Sequence, residues 1–470
     1  MKIVIVGAGR VGSSVAEALV SEANEITVVD SDGARVAELQ SRFDLRGVVG
    51  NAAMPSTLAE AGAPDADLLI AVTASDETNL ISCMIAAELF NVPRRLARVR
   101  NVELREYPNL LGEDGLKVSN VIWPEQAVTD YLIKLVEFPG ALQVLEFAGG
   151  RVVLMALRAV AGSPLVGHPI RDLRVHIPNV NARIVAIFRK NRSIECHGNT
   201  PVEAGDEVFV LSDSRDARVV SSELRQRDKP VRRVMLAGGG NIGLRVARAL
   251  ESGEGLHTSD RFNVRIVERN RGRCQELARQ LSPDTLVLNG DATDEDLLEE
   301  EGIADTDLFM ALTNDDESNI MSALLAKKMG ARRVIALINR RSYGELMQGG
   351  AIDIAVSPSH ATLSELLKHV RRGDVVAAHS LRRGAAEALE LVAHGDHKNS
   401  KVVGRRVEQI ELPKGAMIGA IVRGSGDTSQ VLPANHDRVI ETGDHVLVFV
   451  PNKRQIPRIE KLFMVSAGFF

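Results

Sequence analysis

The chain opens with a run of apolar positions, Lys2-Ile-Val-Ile-Val6, that has no polar alternation and reads as a strand buried on both faces. Val11, Val15, Ala18 and Leu19 then take up helical spacing, and Ile26-Thr-Val-Val29 makes a second strand. The pattern goes on alternating. Val48-Val49 reads as a short third strand, Pro55 to Ala61 as a helix and Leu68 to Val72 as a fourth strand. A helix follows with Leu80, Ile81, Met84, Ile85 and Leu89 expected on its inward face. Arg95 to Val99 and Val118 to Trp123 supply the last two strands. Strands alternating with helices predict a doubly wound parallel sheet, which binds ligands at the carboxyl ends of its strands.

At the first of those ends stands Gly7-Ala8-Gly9-Arg10-Val11-Gly12. Gly7 permits a tight turn, Gly9 lets a pyrophosphate approach the backbone, and Gly12 lets the helix close on the sheet. The exposed amides and positive end of that helix suit phosphate. Asp30 ends the second strand 18 residues beyond Gly12, where a carboxylate can accept both ribose hydroxyls of adenosine. A 2′-phosphate would meet like charge there, and Ser31-Asp32 follows instead of arginine. NAD(H), or another nucleotide with a free ribose such as ATP, is therefore favoured over NADP(H). Asn51, Thr73-Ala74 and Arg98 fall at or near the same strand ends.

The whole arrangement recurs. Val234-Met-Leu-Ala237 leads into Gly238-Gly239-Gly240-Asn241-Ile242-Gly243, and a later strand ends on Glu268 as the earlier one ends on Asp30, after a seven-residue insertion. Gly50-Asn51-Ala52 has its counterpart in Gly290-Asp291-Ala292. The stretch Asp65 to Glu77, through Thr73-Ala74, matches Asp305 to Glu317, through Thr313-Asn314. Two copies of one nucleotide-binding domain are therefore expected. Pro124 and Pro358 each open a connecting helix, and a smaller repeated unit follows each. Leu165-Val166-Gly167 aligns with Val402-Val403-Gly404, and Ala204 to Val210 with Thr442 to Val448. Alternating runs at Ala182 to Phe188 and Asp206 to Leu211 predict a small antiparallel sheet in an α+β unit. The expected plan is Rossmann domains at 1–123 and 231–357, connecting helices at 124–140 and 358–373, and small units at 141–225 and 374–460. The polar stretch Arg225 to Pro230 links the halves. Each nucleotide domain is expected to carry its own small unit of roughly 80 residues, too small for much of a substrate cleft.

Composition narrows the function. Aromatics are 3% of 470 residues and the net charge is −5, which argues against single-stranded nucleic acid and against a phosphate-backbone binder. Cys83, Cys196 and Cys274 are far apart and form no disulfide framework, as expected of a reduced cytoplasm. The amino terminus enters a strand at Lys2, leaving no room for a signal peptide, and no apolar run is long enough to span a bilayer. Residues 1–122 contain no histidine to serve as acid or base beside a nicotinamide. Cys83 is expected in the core, His394-Gly-Asp396-His397 in a loop, and Asp294 to Glu301 in an acidic, solvated helix. His168 and His176 are read as isolated structural residues. No catalytic constellation and no metal site emerge.

The strings Met1 to Gly12, Ala71 to Asn79 and Gly443-Asp-His-Val-Leu-Val-Phe449 resemble the RCK (KTN) domain family, and within it the nucleotide-binding subunits of bacterial Trk potassium uptake systems. The resemblance covers nearly the whole chain in the order N, C, N, C. It implies a regulator, not an enzyme: a peripheral protein on the cytoplasmic face of the inner membrane, assembled as a homotetrameric ring on a Trk-type potassium channel subunit. Such a subunit gates flux by binding NAD(H), with ATP or ADP as further ligands. By the family pattern Gly7 through Val11 contact phosphate, Asp30 the ribose, Asn51 lies near adenine, Thr73-Ala74 line the nucleotide and Arg98 meets its charged part. Gly238 through Ile242, Glu268, Asp291 and Thr313-Asn314 are the second set. Arg10, Arg98 and Arg100 are paired with Asn241, Ala336 and Ile338, so the second site is expected to bind phosphate more weakly. The competing reading is an NAD-dependent oxidoreductase with a duplicated cofactor domain.

Overall fold

The computed structural model describes residues 1–20, 24–190, 192–225, 229–253, 256, 261–340, 342–343, 350, 352–370, 375–381, 386–424 and 426–465. The middle of the link between the halves, the end of the second connecting helix and most of the inserted segment before Glu268 lie outside the described residues. Six strands come first: β1 (Lys2–Val6), β2 (Glu25–Asp30), β3 (Arg46–Val49), β4 (Leu68–Ala71), β5 (Arg94–Arg98) and β6 (Asn120–Ile122). Five follow: β7 (Ala141–Phe147), β8 (Val152–Arg158), β9 (Ala182–Arg189), β10 (Arg192–Ile194) and β11 (Glu207–Asp213). The second half repeats them as β12 (Arg233–Ala237), β13 (Asn263–Glu268), β14 (Leu286–Asn289), β15 (Leu308–Ala311), β16 (Arg333–Leu337) and β17 (Ile354–Val356). Last come β18 (Val375–Leu381), β19 (Ala386–Val392), β20 (Met417–Arg423), β21 (Gln430–Pro433) and β22 (His445–Val450).

The two large sheets are parallel and run β3-β2-β1-β4-β5-β6 and β14-β13-β12-β15-β16-β17. This order is doubly wound, the class expected from the alternation of elements. The unbroken apolar run of β1 has a direct structural cause. Ile3 and Ile5 enter one core, Val4 and Val6 the core on the opposite face, so neither side of the pleat meets water. The helix Arg10–Val20 buries Gly12, Val15, Ala16, Ala18 and Leu19 against the first of these faces. The small sheets are antiparallel, ordered β10-β9-β11-β8-β7 and β18-β19-β22-β20-β21.

The expected pairing of each Rossmann domain with the small unit that follows it is not what the fold adopts. One compact unit joins Met1–Pro124 to Ser359–Phe470, and the other is the uninterrupted span Glu125–Pro358. The first Rossmann sheet thus packs with the small unit of the second half, and the second sheet with the small unit of the first. Both exchanges begin at the proline that opens a connecting helix. In the first unit Ile3, Leu19, Leu68 and Leu96 share one core with Leu363, Leu366 and Leu367 of the helix Pro358–Val370 and with Leu389, Val446 and Phe463 beyond it. Burying a leucine is worth about 1.5–3 kcal/mol. The apolar stripe of that helix therefore decides which sheet it covers, irrespective of chain order.

Two local expectations are corrected as well. The helix Asp76–Glu88 turns Asn79, Leu80, Ser82, Cys83 and Ala86 inward, while Leu89 is 58% exposed and Ile81, Met84 and Ile85 are only half-buried. Small residues face the sheet because the helix lies close on it. Of the face expected inside, Leu80 is buried and Ile85 packs against the core, whereas Leu89 is turned outward. The helix Asp316–Lys328 repeats this, with Asn319, Ser322, Ala323 and Ala326 inward and Met321 59% exposed. His168 and His176 are not isolated. Their rings meet edge to face at 6.0 Å, and His176 Nδ1 lies 2.8 Å from the Glu223 carboxylate. Cys83 is in the core as expected, and burial pushes its thiol up to about 12. Asp396 accepts the N–H groups of Lys398 and Asn399, closing the loop expected there. Asp294 caps the acidic helix Glu295–Glu300.

Candidate nucleotide-binding sites

Each glycine loop follows the central strand of its sheet and turns into a helix. Gly7 has φ +107°, and a Cβ there would press on the Thr73 amide nitrogen at 3.0 Å; Gly238 has φ +104° and the same relation to Thr313. A Cβ on Gly12 would stand 1.8 Å from the Gly7 carbonyl oxygen, and one on Gly243 2.1 Å from that of Gly238. These four glycines are demanded by the protein itself. Gly9 and Gly240 are different: a Cβ on either would meet nothing within 4 Å. The space in front of the helix amino terminus is open at just the position where a pyrophosphate approaches such a loop. Arg10 and Asn241 are exposed on the first helical residue of each copy, with Val11 and Ile242 half-buried behind them.

Asp30 and Glu268 brace the loops from the neighbouring strand. The Ala8 N–H donates to the Asp30 carboxylate at 2.6 Å, and the Asp32 N–H donates to its other oxygen at 2.9 Å. Glu268 accepts from Gly239 and Asn270, both at 2.8 Å. A carboxylate has about four lone-pair sites, so each acid retains capacity for ribose hydroxyls. In the second copy glycine stands in place of Ala8, and a Cβ on Gly239 would lie 2.3 Å from Leu277 Cδ1.

Asn51 closes its own turn by accepting the Ala53 N–H at 2.9 Å. Asp291 does the same for Thr293 and is ion-paired with Arg269. Burial pushes the Asp291 carboxyl up, but the Thr293 N–H and hydroxyl and the Arg269 charge outweigh it and hold it below the usual range. Ser31 occupies the place of Arg269 in the first copy, so the two sites differ in charge beside the ribose acid. Thr73 and Thr313 are half-buried and Ala74 and Asn314 exposed on the loops after β4 and β15. Arg98, half-buried at the end of β5, donates to the Thr73 carbonyl at 3.4 Å.

The sheet register corrects the expected partners of Arg98 and Arg100. Ala71 pairs with Ala97, and Ala311 with Ala336, so Ala336 corresponds to Ala97 and Leu337 to Arg98. Asp76 accepts the N–H groups of Arg100 and Asn101, as Asp316 accepts those of Asn339 and Arg340. Arg100 is thus replaced by Asn339, and Asn101 by Arg340. The connection before β16 is one residue shorter than that before β5, a deletion that a constant sequence offset conceals. Neutral residues still replace both arginines, but Arg340 returns a cation one position later.

One residue pair escaped the sequence reading. Asn79 is fully buried; its amide oxygen accepts from Thr73 N–H at 2.8 Å and Thr73 Oγ1 at 2.7 Å, and its nitrogen donates to the Arg98 carbonyl at 2.9 Å. Asn319 repeats every one of these bonds with Thr313 and Leu337. A single amide thus ties the ends of β4 and β5 together. The identical six-residue spacing from Thr73 to Asn79 and from Thr313 to Asn319 was the available signal.

The TrkA-N domain model matches residues 3–122 and 234–358, and the TrkA-C domain model matches 154–225 and 396–464. The Trk system potassium uptake protein TrkA of Halomonas elongata is 52% identical over 470 residues, with 100% of both chains covered. That of Vibrio alginolyticus is 50% identical, again over 100% of both. Among solved structures, the GsuK RCK domain aligns at TM-score 0.58 and 17% identity, over 98% of this chain and 94% of that one. The GsuK channel bound to NAD aligns at TM-score 0.57 and 17% identity, over 98% and 78%. Likeness at that identity is one of fold. With both domain types matched twice and full-length identity of half, the chain belongs to the TrkA family of Trk system potassium uptake proteins.

Proposed function

We propose that this chain is the nucleotide-sensing regulatory subunit of a Trk potassium uptake system and gates a membrane potassium channel subunit by binding NAD(H), with ATP or ADP as competing ligands. The observation that carries the reading is the pair of glycines, Gly9 and Gly240, whose missing side chains serve no packing need and leave room for a pyrophosphate. The family membership and the NAD-bound state of a channel with the same fold support it. In this reading the amides from Gly7 to Gly12 and from Gly238 to Gly243 hold the phosphates. Asp30 and Glu268 hold the ribose, Asn51 and Asp291 lie beside adenine, and Thr73-Ala74 and Thr313-Asn314 line the remainder. Arg98 meets the charged part in the first site. No catalytic step is assigned to any residue.

The copies are proposed to differ in use. Arg10 and Arg98 become Asn241 and Leu337, while Arg269 is engaged by Asp291. A ligand with more phosphate charge gains most from cations, so ATP selects the first site and the second holds NAD(H). The outward apolar residues of the helices Asp76–Glu88 and Asp316–Lys328 favour assembly of several copies, proposed as a tetramer on the cytoplasmic face of the membrane. Among the described residues no helix is long and apolar enough to cross a membrane, so attachment is assigned to the channel subunit.

A ligand shifts a gate only by its differential affinity for the two states. Potassium flux through vesicles containing the channel subunit, with and without this protein and each nucleotide, tests the proposal. Flux should differ between ATP and NADH at saturation. Identical flux under every nucleotide, or turnover of NADH with a carbonyl substrate, would defeat it.

A further inference from the structure

A second kind of site lies at the opposite edge of the second Rossmann sheet. All strands of that sheet run parallel, so the residues just before β15, β16 and β17 share one edge, away from the glycine loop. There Asp307, Arg332, Arg333 and Asp353 line a cavity of about 220 Å³, together with Arg158 of β8, Arg225 and Lys229. Five cations and two acids thus face one space. Both acids have partners. Asp307 lies 3.0 Å from Arg332, and Asp353 lies 2.8 Å from Lys327 and accepts the Val334 N–H. Arg333 is buried and donates to the carbonyls of Leu135 and Ala141. Among the described residues Arg158 and Lys229 make no ion pair.

The fold does not require these charges. The equivalent edge of the first Rossmann sheet has the same strands and keeps Arg94 and Asp67 at the places of Arg333 and Asp307, but lacks three of the cations. Arg158 pairs with Glu207 across the small sheet as Val392 pairs with His445. Arg225 follows its helix as Met464 follows Ile456–Phe463, and Arg332 precedes β16 as Pro93 precedes β5. Three cations of the second unit are therefore an aliphatic residue, a thioether and a proline in the first. Collecting like charges around a cavity costs Coulomb energy unless an anion offsets it.

We propose that this cavity binds a small phosphate-bearing anion of about the size of pyrophosphate. Guanidinium forks match phosphate oxygens in geometry as well as charge. The cavity is smaller than the roughly 300–1,000 Å³ of sites that enclose whole cofactors, so it suits a phosphate group and does not enclose a dinucleotide. Free pyrophosphate and the phosphate tail of a nucleotide offer the same chemistry.

The test is calorimetric titration of the full chain with pyrophosphate at fixed ionic strength. Wild type is compared with Arg158→Val, Lys229→Ala and a Gly9→Val/Gly240→Val variant whose nucleotide loops are blocked. Arg158 is exposed at a strand end, so its replacement leaves the fold intact. Binding should survive in the loop-blocked variant and weaken about tenfold in Arg158→Val and in Lys229→Ala. Arg158→Lys should restore part of it. An ADP titration of the loop-blocked variant tells the sources apart: Arg158-dependent ADP binding assigns a nucleotide tail, and binding of pyrophosphate alone assigns the free anion. Absence of pyrophosphate binding, its loss on blocking the loops, or equal affinity with and without Arg158 and Lys229 would each overturn the site.

Discussion

Arg333, at the start of β16, donates to the carbonyl oxygen of Leu135 in the first connecting helix at 3.4 Å, across 198 residues of sequence. A second bond runs to Ala141. The other unit repeats the device: Arg94, at the start of β5, donates to the carbonyl of His369 at 3.4 Å. Both arginines satisfy carbonyls at the end of a connecting helix, where the helix dipole also favours a cation. Arg333→Ala should destabilise the second unit by about 2–4 kcal/mol, because carbonyls are left buried without donors. Arg333→Lys should recover less than half, since an ammonium cannot reproduce the fork. Denaturant unfolding of both variants checks this.

The glycines of the first loop separate into two kinds, and substitution should show it. Gly12→Ala places a Cβ against the Gly7 carbonyl and should cost about 2 kcal/mol or more in stability. Gly9→Ala meets no protein atom and should leave stability within about 0.5 kcal/mol while weakening NADH binding. Thermal unfolding paired with calorimetry distinguishes the two. A Gly9→Ala protein that binds NADH normally would remove the main support for a nucleotide at this loop.

Asp30→Ala removes both the brace on the Ala8 amide and the proposed ribose acceptor. NADH affinity should fall by about 1.5–3 kcal/mol of binding free energy. Asp30→Asn keeps an acceptor for Ala8 and should lose less. Equal calorimetric affinity of wild type for NADH and NADPH would count against the role given to this carboxylate.

Asn79 satisfies groups on two strand ends from a fully buried position. Asn79→Leu keeps its bulk and should destabilise the protein by about 2–3 kcal/mol, through the unsatisfied Thr73 and Arg98 backbone groups. Nucleotide binding at the first site should weaken with it, whereas Asn319→Leu should affect the second. Unfolding curves and titrations of the two variants provide the comparison.

The Glu365 carboxyl, on the second connecting helix, is lowered from 4.5 to about 2. The His369 ring, whose Nε2 lies 3.9 Å from the carboxylate, is the largest cause; burial opposes it and Lys368 reinforces it. A depressed acid stabilises the fold fully above its unfolded pKa and loses that contribution as pH falls through the folded value. The relevant window is therefore pH 4.5 down to about 2. The side chain is 34% exposed, so screening reduces the effect to about 1 kcal/mol. Glu365→Gln should flatten the acid limb of stability in that window and leave neutral pH nearly unchanged. An unaltered acid limb in the variant would refute the coupling.

The doubly wound, parallel class of the large sheets and the glycine geometry were legible because they rest on local chemistry. An apolar run without alternation must be covered on both faces, as Ile3 and Val4 show on opposite sides of β1. A glycine five positions before a second one, with an acid at the end of the next strand, reports a turn whose backbone cannot carry a Cβ, and the repeat reports that all this happens twice. Periodicity was a poorer guide for the helix Asp76–Glu88, because close packing on a sheet favours small residues beside Leu80 and leaves Leu89 exposed. The one-residue deletion before β16 was invisible until strand register fixed which residue faces which. Above all, sequence order places each small unit directly after its own Rossmann domain, and only the tertiary structure exchanges them. Chain connectivity constrains where a helix begins, at Pro124 and at Pro358, but the apolar stripe of Leu363, Leu366 and Leu367 is satisfied by whichever sheet offers the complementary face.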